Sequence, residues 1–152
     1  MAHATETKVT KSQVEARVRD WIRRLNELYA RLDDWMPNDS AAKVRKEHLV
    51  QVIEPLMSQF KVDPHQIPTY TVLIGKRRIA FVPSALWVIG ANGRVNVSTN
   101  ARQHILVDLG GEASKESDWQ LVLPDDRTSL KPFNRQAFLS LLMEQLSRLG
   151  AQ

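Results

Sequence analysis

The stretch TYTVLIGKRRIAFV, residues Thr69–Val82, decides the fold class. Within Tyr70–Ile74 every second residue is large and apolar, which is the period of a β-strand with one buried face. Gly75–Arg77 follows as a turn that carries two cations, and Arg78–Val82 continues as a second strand. A glycine-containing turn between two such runs is typical of a β-hairpin, so this part of the chain is predicted to be antiparallel sheet.

More strands are expected on the C-terminal side of this hairpin. Pro83 interrupts the second strand, because proline lacks the N–H group that a central strand needs. Asn92–Gly93 is typical of a two-residue type I′ hairpin turn. The remaining strands are predicted at Leu86–Ala91, Arg94–Ser98, His104–Leu109 and Trp119–Leu123.

A long amphipathic helix is predicted on the N-terminal side. Ser12 and Glu15 have the spacing of a capping box, which indicates that the helix begins at Ser12. Pro37 ends it, because the residue before a proline disfavours helical geometry. The apolar stripe of this helix has alternating spacings of four and three residues and comprises Val14, Val18, Trp21, Leu25, Leu28, Leu32 and Trp35.

Two further helices are expected. A second helix is predicted from about residue 40 to residue 59, with a kink or break at Glu54 because Pro55 removes a helical hydrogen bond. A closing helix is predicted after Asn134, which is a candidate N-cap. Its apolar positions are Phe138, Leu141, Leu142, Leu146 and Leu149.

The order of these elements predicts the α+β class, because runs of helices and runs of strands are segregated along the chain. We expect an N-terminal helical arm of one or two helices, an antiparallel β-meander of five to six strands, and a C-terminal helix packed on the sheet. Residues 1–11 are predicted to be a disordered tail, residues 12–60 the arm, and residues 61–152 the sheet with its closing helix. The arm and the sheet are expected to form one compact domain.

Most catalytic and metal-binding chemistry has no motif in this chain. It contains no cysteine, which excludes disulfides, thiolate zinc sites and cysteine nucleophiles. None of its four histidines has the spacing of a metal-binding pair, and no serine lies in a nucleophile motif. We therefore expect no metal, no cofactor and no catalytic residue. No run of about 18 apolar residues exists, so no membrane span is expected, and a cytoplasmic location is predicted.

The positive charge of the chain is concentrated in one segment. Residues 69–109 carry five basic residues and one acidic residue, which equals the net charge of +4 of the whole chain. Such asymmetry points to an anionic partner, and nucleic acid is the partner considered. The candidate site comprises Lys76, Arg77, Arg78, Arg94 and Arg102, and the alternative is that these cations only solvate turns. The patch requires a turn at Pro83, which would place Arg94 at the same end of the sheet as Lys76.

The apolar stripe of the first helix is the other candidate surface. It could pack within the molecule or form a homodimeric seam, and its width favours packing within the molecule. The candidate partner-binding residues are Trp21, Leu25, Leu28, Leu32 and Trp35. The first functional hypothesis is a non-catalytic protein-interaction module that acts through this arm, with self-association into a homodimer as one form. The alternative is a nucleic-acid-binding module that uses the basic residues.

Overall fold

The computed structural model describes residues 9–38, 42–46, 48–52, 54–85, 92–110, 116–123 and 126–150 of the 152-residue chain. Its elements in chain order are α1 (Lys11–Trp35), β1 (Lys43–Arg45), β2 (Leu49–Val52), α2 (Pro55–Gln59), β3 (His65–Pro68), β4 (Tyr70–Ile74), β5 (Arg77–Ala85), β6 (Arg94–Thr99), β7 (Gln103–Asp108), β8 (Trp119–Leu123), β9 (Asp126–Pro132) and α3 (Arg135–Gly150).

The strands form a large sheet of seven strands and a small sheet of two. The large sheet has the order β1-β4-β5-β6-β7-β8-β9, and the small sheet pairs β2 with β3, with every pairing antiparallel. The α+β class, the antiparallel meander and the C-terminal helix packed on the sheet are confirmed. Strand β9 was not predicted, and the strand predicted at Leu86–Ala91 lies outside the described residues.

The second helix predicted from residue 40 to residue 59 is wrong over most of its length. Strands β1 and β2 occupy this region, and only Pro55–Gln59 is helical. Glu54 is the N-cap of that short helix and Pro55 is at its start, where a missing N–H group costs little. Glu54 thus marks the start of a short helix and not a kink or break within a longer one. Strand geometry prevails before it because β1 and β2 find hydrogen-bonding partners in β4 and β3, which a local pattern does not reveal.

Helix α1 begins slightly earlier than predicted. Thr10 is the N-cap, and its capping box is formed with Gln13 rather than by Ser12 with Glu15. The end of the predicted tail thus belongs to the helix start, while residues 1–8 lie outside the described residues. The apolar stripe is confirmed as the buried face of the helix: Val14, Val18, Trp21, Leu25, Leu28 and Leu32 are all at most 1% exposed.

The sheet has an inner face, which packs on the helices, and an outer face. It curls around the core: the rings of Phe81 on β5 and Phe133 after β9 lie 6.0 Å apart, whereas β5 and β9 would be about 19 Å apart in a flat sheet. The inner positions are buried and comprise Tyr70, Val72, Ile74, Ile79, Phe81, Val95, Val97, His104, Leu106, Asp108, Trp119 and Leu121. The alternate, outer positions comprise Lys43, Arg45, Thr71, Leu73, Arg78, Ala80, Val82, Arg94, Asn96, Ser98, Gln103, Ile105, Val107, Gln120 and Val122.

Pro83 does not end β5. The strand runs on to Ala85 with an irregularity in register between Pro83 and Ala85. Strand β4 pairs with β5 only as far as Phe81, so at Pro83 the strand has no β4 partner that needs an N–H donor. The predicted interruption at Pro83 is therefore wrong, and the turn that the single basic patch required does not form there. The turn predicted at Gly75 is confirmed, and Gly75 has a φ of 59° that favours glycine.

Asn92–Gly93 does not form the predicted type I′ turn. The second residue of such a turn needs a φ near 90°, whereas Gly93 has a φ of 151°. The Asn92 N–H donates to Asp108 O at 2.7 Å, and Asp108 N–H donates to Gly93 O at 3.1 Å, so the pair extends the ladder to β7. The glycine is required for a different reason, because a Cβ at Gly93 would lie 2.2 Å from Cζ3 of Trp21.

The start of α3 is confirmed and one of its predicted buried positions is wrong. The Asn134 side chain accepts a hydrogen bond from Ala137 N–H at 3.0 Å, as an N-cap does. Phe138, Leu141 and Leu142 are buried, but Leu146 is 44% exposed and its neighbour Gln145 is buried instead. The Leu149 side chain lies outside the described part of the chain.

Candidate nucleic-acid interface

The turn between β4 and β5 presents three consecutive cations. The side chains of Lys76 and Arg78 are exposed, whereas Arg77 is half-buried. The Nε group of Arg77 donates to Oε1 of the buried Gln145 on α3 at 3.0 Å. Arg77 therefore anchors the turn to the helix, while Lys76 and Arg78 are available to a ligand.

The turn between β6 and β7 brings Arg102 to the same end of the sheet. Its backbone is fixed by Thr99, whose N–H donates to Arg102 O at 2.9 Å and whose Oγ1 accepts from Arg102 N–H at 3.1 Å. The neighbouring Asn100 accepts a hydrogen bond from Arg78 N–H at 2.8 Å. The two turns are thereby joined, and the exposed side chains of Arg78 and Arg102 start from backbone positions about 10 Å apart, at two strand spacings.

Strand β1 adds two cations that the sequence analysis did not include. Lys43 and Arg78 are both paired with Leu73, from opposite sides, so they share the outer face of the sheet. Arg45 lies two residues along β1 and points to the same face. We call the five exposed cations of this region the basic corner: Lys43, Arg45, Lys76, Arg78 and Arg102.

Arg94 does not belong to the basic corner. It pairs with Ala85, at the far end of β5 from Arg77. Eight residues of extended strand separate these ends, which corresponds to about 26 Å and exceeds the Debye length of about 8 Å at physiological salt. The inclusion of Arg94 in one patch with Lys76 is therefore wrong, because it depended on a turn at Pro83. Its Nε group donates instead to Oδ1 of Asn96 at 2.9 Å.

The outer face has an unusual charge distribution. At the described positions of β1 and β4–β8 it carries the cations Lys43, Arg45, Arg78 and Arg94 and no carboxylate. The residues between these cations are neutral hydrogen-bonding or apolar residues: Thr71, Leu73, Ala80, Val82, Asn96, Ser98, Gln103, Ile105, Val107, Gln120 and Val122. Among those described positions, no carboxylate lies between the cations.

A weak signal in the sequence indicates why β1 was missed. Lys43, Val44 and Arg45 alternate charged and apolar residues, which is the strand period, but three residues are too few to decide between strand and helix. Cations on both sides of a β-branched residue are typical of a short edge strand. Val44 and Leu49 also fit the apolar spacing of a helix, so the segment was predicted to be helical.

The candidate partner-binding residues of the arm lie in the core. Trp21, Leu25, Leu28 and Leu32 are 0–1% exposed. Trp35 is half-buried and its ring lies 5.8 Å from that of Phe133. The stripe thus packs within the molecule, which is the alternative that its width favoured, and of these five residues only Trp35 is partly exposed.

Two buried polar groups lie between the helices and the sheet, and the second of them, His104, is near Arg102 of the basic corner. Arg24 and Asp108 form an ion pair that also involves Asp20, whose carboxylate accepts from Arg24 Nε at 2.7 Å. His104 is 7% exposed, and neither ring nitrogen has a hydrogen-bonding partner among the described residues. Burial lowers the pKa of His104, although Glu144 nearby acts in the opposite direction. The charges of Arg24, Asp20 and Asp108 are paired with one another, which is typical of a structural ion-pair network.

The carboxylates of Asp126 and Asp33 accept hydrogen bonds from neighbouring side chains. Asp126 accepts hydrogen bonds from the backbone and hydroxyl of Thr128 and from Ser129, as an Asx turn does. These hydrogen bonds lower the pKa of Asp126. Asp33 accepts from Tyr70 Oη at 2.7 Å and pairs with Lys46 at 2.9 Å. Asp125 lies outside the described residues.

The described ranges contain neither a cluster of metal-ligand side chains nor a long apolar helix. In that part of the chain no group of three or more His, Asp or Glu side chains is placed to hold a metal ion. Neither α1 nor any other described helix is both long and apolar enough to cross a membrane.

Comparison of the chain with protein-family models, with curated proteins and with solved structures gives no match.

Proposed function

We propose that this protein binds nucleic acid through the basic corner. The observation that supports the proposal is the convergence of five exposed cations, from β1 and two turns, beside an outer face that has no carboxylate at its described positions of β1 and β4–β8. Lysine and arginine side chains on such a face attract phosphate groups and release the counterions that phosphates hold.

The alternative of a merely solvated surface predicts a different arrangement of charges. On α1, Arg23 pairs with Asp20 at 2.7 Å and with Glu27 at 2.6 Å, so cations and carboxylates alternate and largely cancel. At the described outer positions of β1 and β4–β8 no carboxylate alternates with the cations, whereas Arg102 lies near Glu144, since both act on His104. A charge excess without local neutralisation favours an anionic partner over simple solvation.

The test is fluorescence anisotropy of labelled oligonucleotides at about 50 and 200 mM salt. If all five cations contact phosphates, the affinity should fall by up to about 500-fold over this fourfold change in salt, because log K falls with a slope of about −0.9 per contact. The triple variant Lys43→Gln, Arg45→Gln, Arg78→Gln should bind weakly and lose most of this salt dependence.

The matched control removes the same charge from another surface. Lys11, Arg19 and Arg31 are exposed on α1, and their triple replacement by glutamine should leave both affinity and salt slope close to those of the unchanged protein. Equal losses in the two triple variants would show attraction by net charge alone and would contradict a site at the basic corner. Absence of binding by the unchanged protein at 50 mM salt would refute the proposal.

The proposal concerns binding without catalysis, by a protein of the cytoplasm. The lack of cysteine in the chain fits a reducing compartment. Activity assays and fractionation of the expressing cells would test these two parts.

Self-association is a second candidate, supported by one apolar stripe on α3. Leu139 is half-buried, while Met143 and Leu146 are 64% and 44% exposed, and the three residues follow each other at helical spacing. A second copy of the chain is the occupant we propose. Sedimentation of the protein and of a Met143→Glu variant tests it: a dimer that this change dissociates supports the interaction, and a monomer at all concentrations excludes it.

A further inference from the structure

The basic corner has the chemistry of a phosphate-binding surface but lacks the chemistry of a base-reading one. Proteins that bind single strands stack the bases on aromatic side chains, and each stacked base contributes substantially to affinity. On the sheet, Tyr70, Phe81 and Trp119 are all inner residues, at most 3% exposed. No aromatic side chain occupies a described outer position of β1 or β4–β8, and Trp87 lies outside the described residues.

Four of the other aromatic residues are buried in the core, while Trp35 and Phe60 are half-buried and lie outside the sheet. Trp21 packs with Trp119 at a ring distance of 5.9 Å, and Tyr29 packs with Tyr70 at 5.3 Å. Phe133 and Phe138 are buried around Phe81. These rings form the core between helices and sheet, so they cannot stack on the bases of a ligand at the outer face.

What the outer face offers is charge together with small neutral hydrogen-bonding groups. Thr71, Ser98 and Gln103 lie in one row across β4, β6 and β7, with Arg45 at the end of the row on β1. Hydroxyl and amide groups beside cations are the usual partners of phosphate and sugar oxygens, and such contacts position a duplex without reading its sequence.

The dimensions of the face also suit a duplex. From β1 to β7 the basic corner crosses four strand spacings, or about 19 Å. A duplex carries one phosphate charge per about 1.7 Å of its axis, so a segment of this length presents roughly 11 phosphates to at most five cations. The outer face is the convex side of the curled sheet, which limits contact to a short segment.

We infer that the ligand of the basic corner is the sugar-phosphate backbone of a nucleic-acid duplex, bound over about five to six base pairs without regard to sequence. This inference rests on the proposed function and specifies it further. The duplex is favoured because both of its strands display phosphates at fixed spacing, whereas a single strand would depend on stacking that this face does not provide.

The experiment compares a labelled 16-base-pair duplex, its two separate strands and two further duplexes of unrelated sequence. The duplexes should bind alike, within about threefold, and at least tenfold more tightly than either single strand. In a salt titration the slope of log K against log salt should be no steeper than about −4.5 for five contacts. The single variants Lys43→Gln and Arg102→Gln should each reduce its magnitude by about 0.9, while Arg19→Gln on α1 should not change it.

The outcomes separate this inference from the proposed function. Tighter binding of a single strand, or a more than tenfold difference among the duplexes, would overturn the inference and leave nucleic-acid binding in place. Absence of binding to every oligonucleotide would overturn both.

Discussion

Arg24 on α1 and Asp108 on β7 are 84 residues apart in the chain, yet Nη1 and Oδ2 lie 2.6 Å from each other and neither side chain is exposed. Oδ1 of Asp108 accepts hydrogen bonds from Gly110 N–H at 2.9 Å and Asp118 N–H at 2.7 Å. The carboxylate thus connects the first helix to both described ends of the segment between β7 and β8. A buried charge with this many partners is tolerated only while each partner stays in place.

Replacement of Arg24 by methionine should destabilise the fold by about 3–5 kcal/mol, because it leaves the Asp108 carboxylate buried without its cation. Urea denaturation measures the effect. Arg23→Met is the matched control, since Arg23 is paired with Asp20 and Glu27 at the surface and should cost less than about 1 kcal/mol. Similar losses of stability in both variants would show that the buried ion pair of Arg24 contributes no more than the exposed ion pairs of Arg23.

The contact between Trp21 and Gly93 makes a second prediction. Gly93 has a φ of 151°, and a Cβ there would lie 2.2 Å from the indole of Trp21. Gly93→Ala should therefore destabilise the protein by about 1–3 kcal/mol through overpacking, in addition to backbone strain. In a double-mutant cycle with Trp21→Leu the two losses should be less than additive, because the smaller side chain makes room for the methyl group. Full additivity would contradict a steric role for Gly93.

Acid should destabilise the fold through His104. Burial holds the pKa of this imidazole below its ordinary value of 6.5, so the unfolded chain takes up a proton at a higher pH than the folded chain does. Between these two pKa values the unfolded state binds more protons, and stability falls as the pH falls below 6.5. Glu144, Arg102 and Lys131 are the charged groups that act on this imidazole.

Denaturation midpoints measured from pH 7.5 to pH 5 should therefore decline for the unchanged protein and decline less for His104→Gln. The exposed His65 supplies the control, and His65→Gln should keep the original pH dependence. Identical pH profiles for the unchanged protein and His104→Gln would exclude His104 as the source.

Gln145 is the subject of a fourth prediction. Its Oε1 accepts from Arg77, while its buried Nε2 donates to no described residue. Gln145→Met keeps the size of the side chain and removes both buried polar atoms, so stability should change by less than about 1 kcal/mol or rise. Arg77→Met removes the donor to Oε1 of Gln145, so both polar atoms of the buried amide lack a described partner, and stability should fall by about 1–3 kcal/mol. Thermal unfolding of the two variants checks this order, and the reverse order would contradict it.

Local sequence patterns correctly predicted the elements whose apolar residues repeat at a regular spacing. The stripe from Val14 to Leu32 repeats over several turns of helix, so its burial follows from spacing alone. The hairpin of β4 and β5 follows from alternation on both sides of Gly75. Asn134 is recognisable as a cap because its neighbours supply the helix.

The elements that were missed depend on distant partners. Val44 fits a helix or a strand equally well by itself, and only its pairing with Val72 makes β1 a strand. Pro83 is tolerated because β4 ends opposite Phe81, which is a property of another strand. The candidate site also depends on distant partners. The local charge pattern identified Lys76, Arg78 and Arg102. The strand order was needed to show that Lys43 lies beside them and that Arg94 lies elsewhere.

The burial of α1 by strands that come much later in the chain has a consequence for folding. Trp21 packs against Trp119 and Gly93, and Arg24 forms its buried ion pair with Asp108. All three of these partners are made much later in the chain than α1. A ribosome adding 5–20 residues per second needs on the order of ten seconds to make the chain between α1 and β8. During that interval the apolar stripe of the nascent helix has no sheet to cover it, and closing the core requires contacts of large sequence separation, which form slowly. Productive folding of this protein should therefore begin only after β8 has been made, with α1 as the segment that a chaperone would hold.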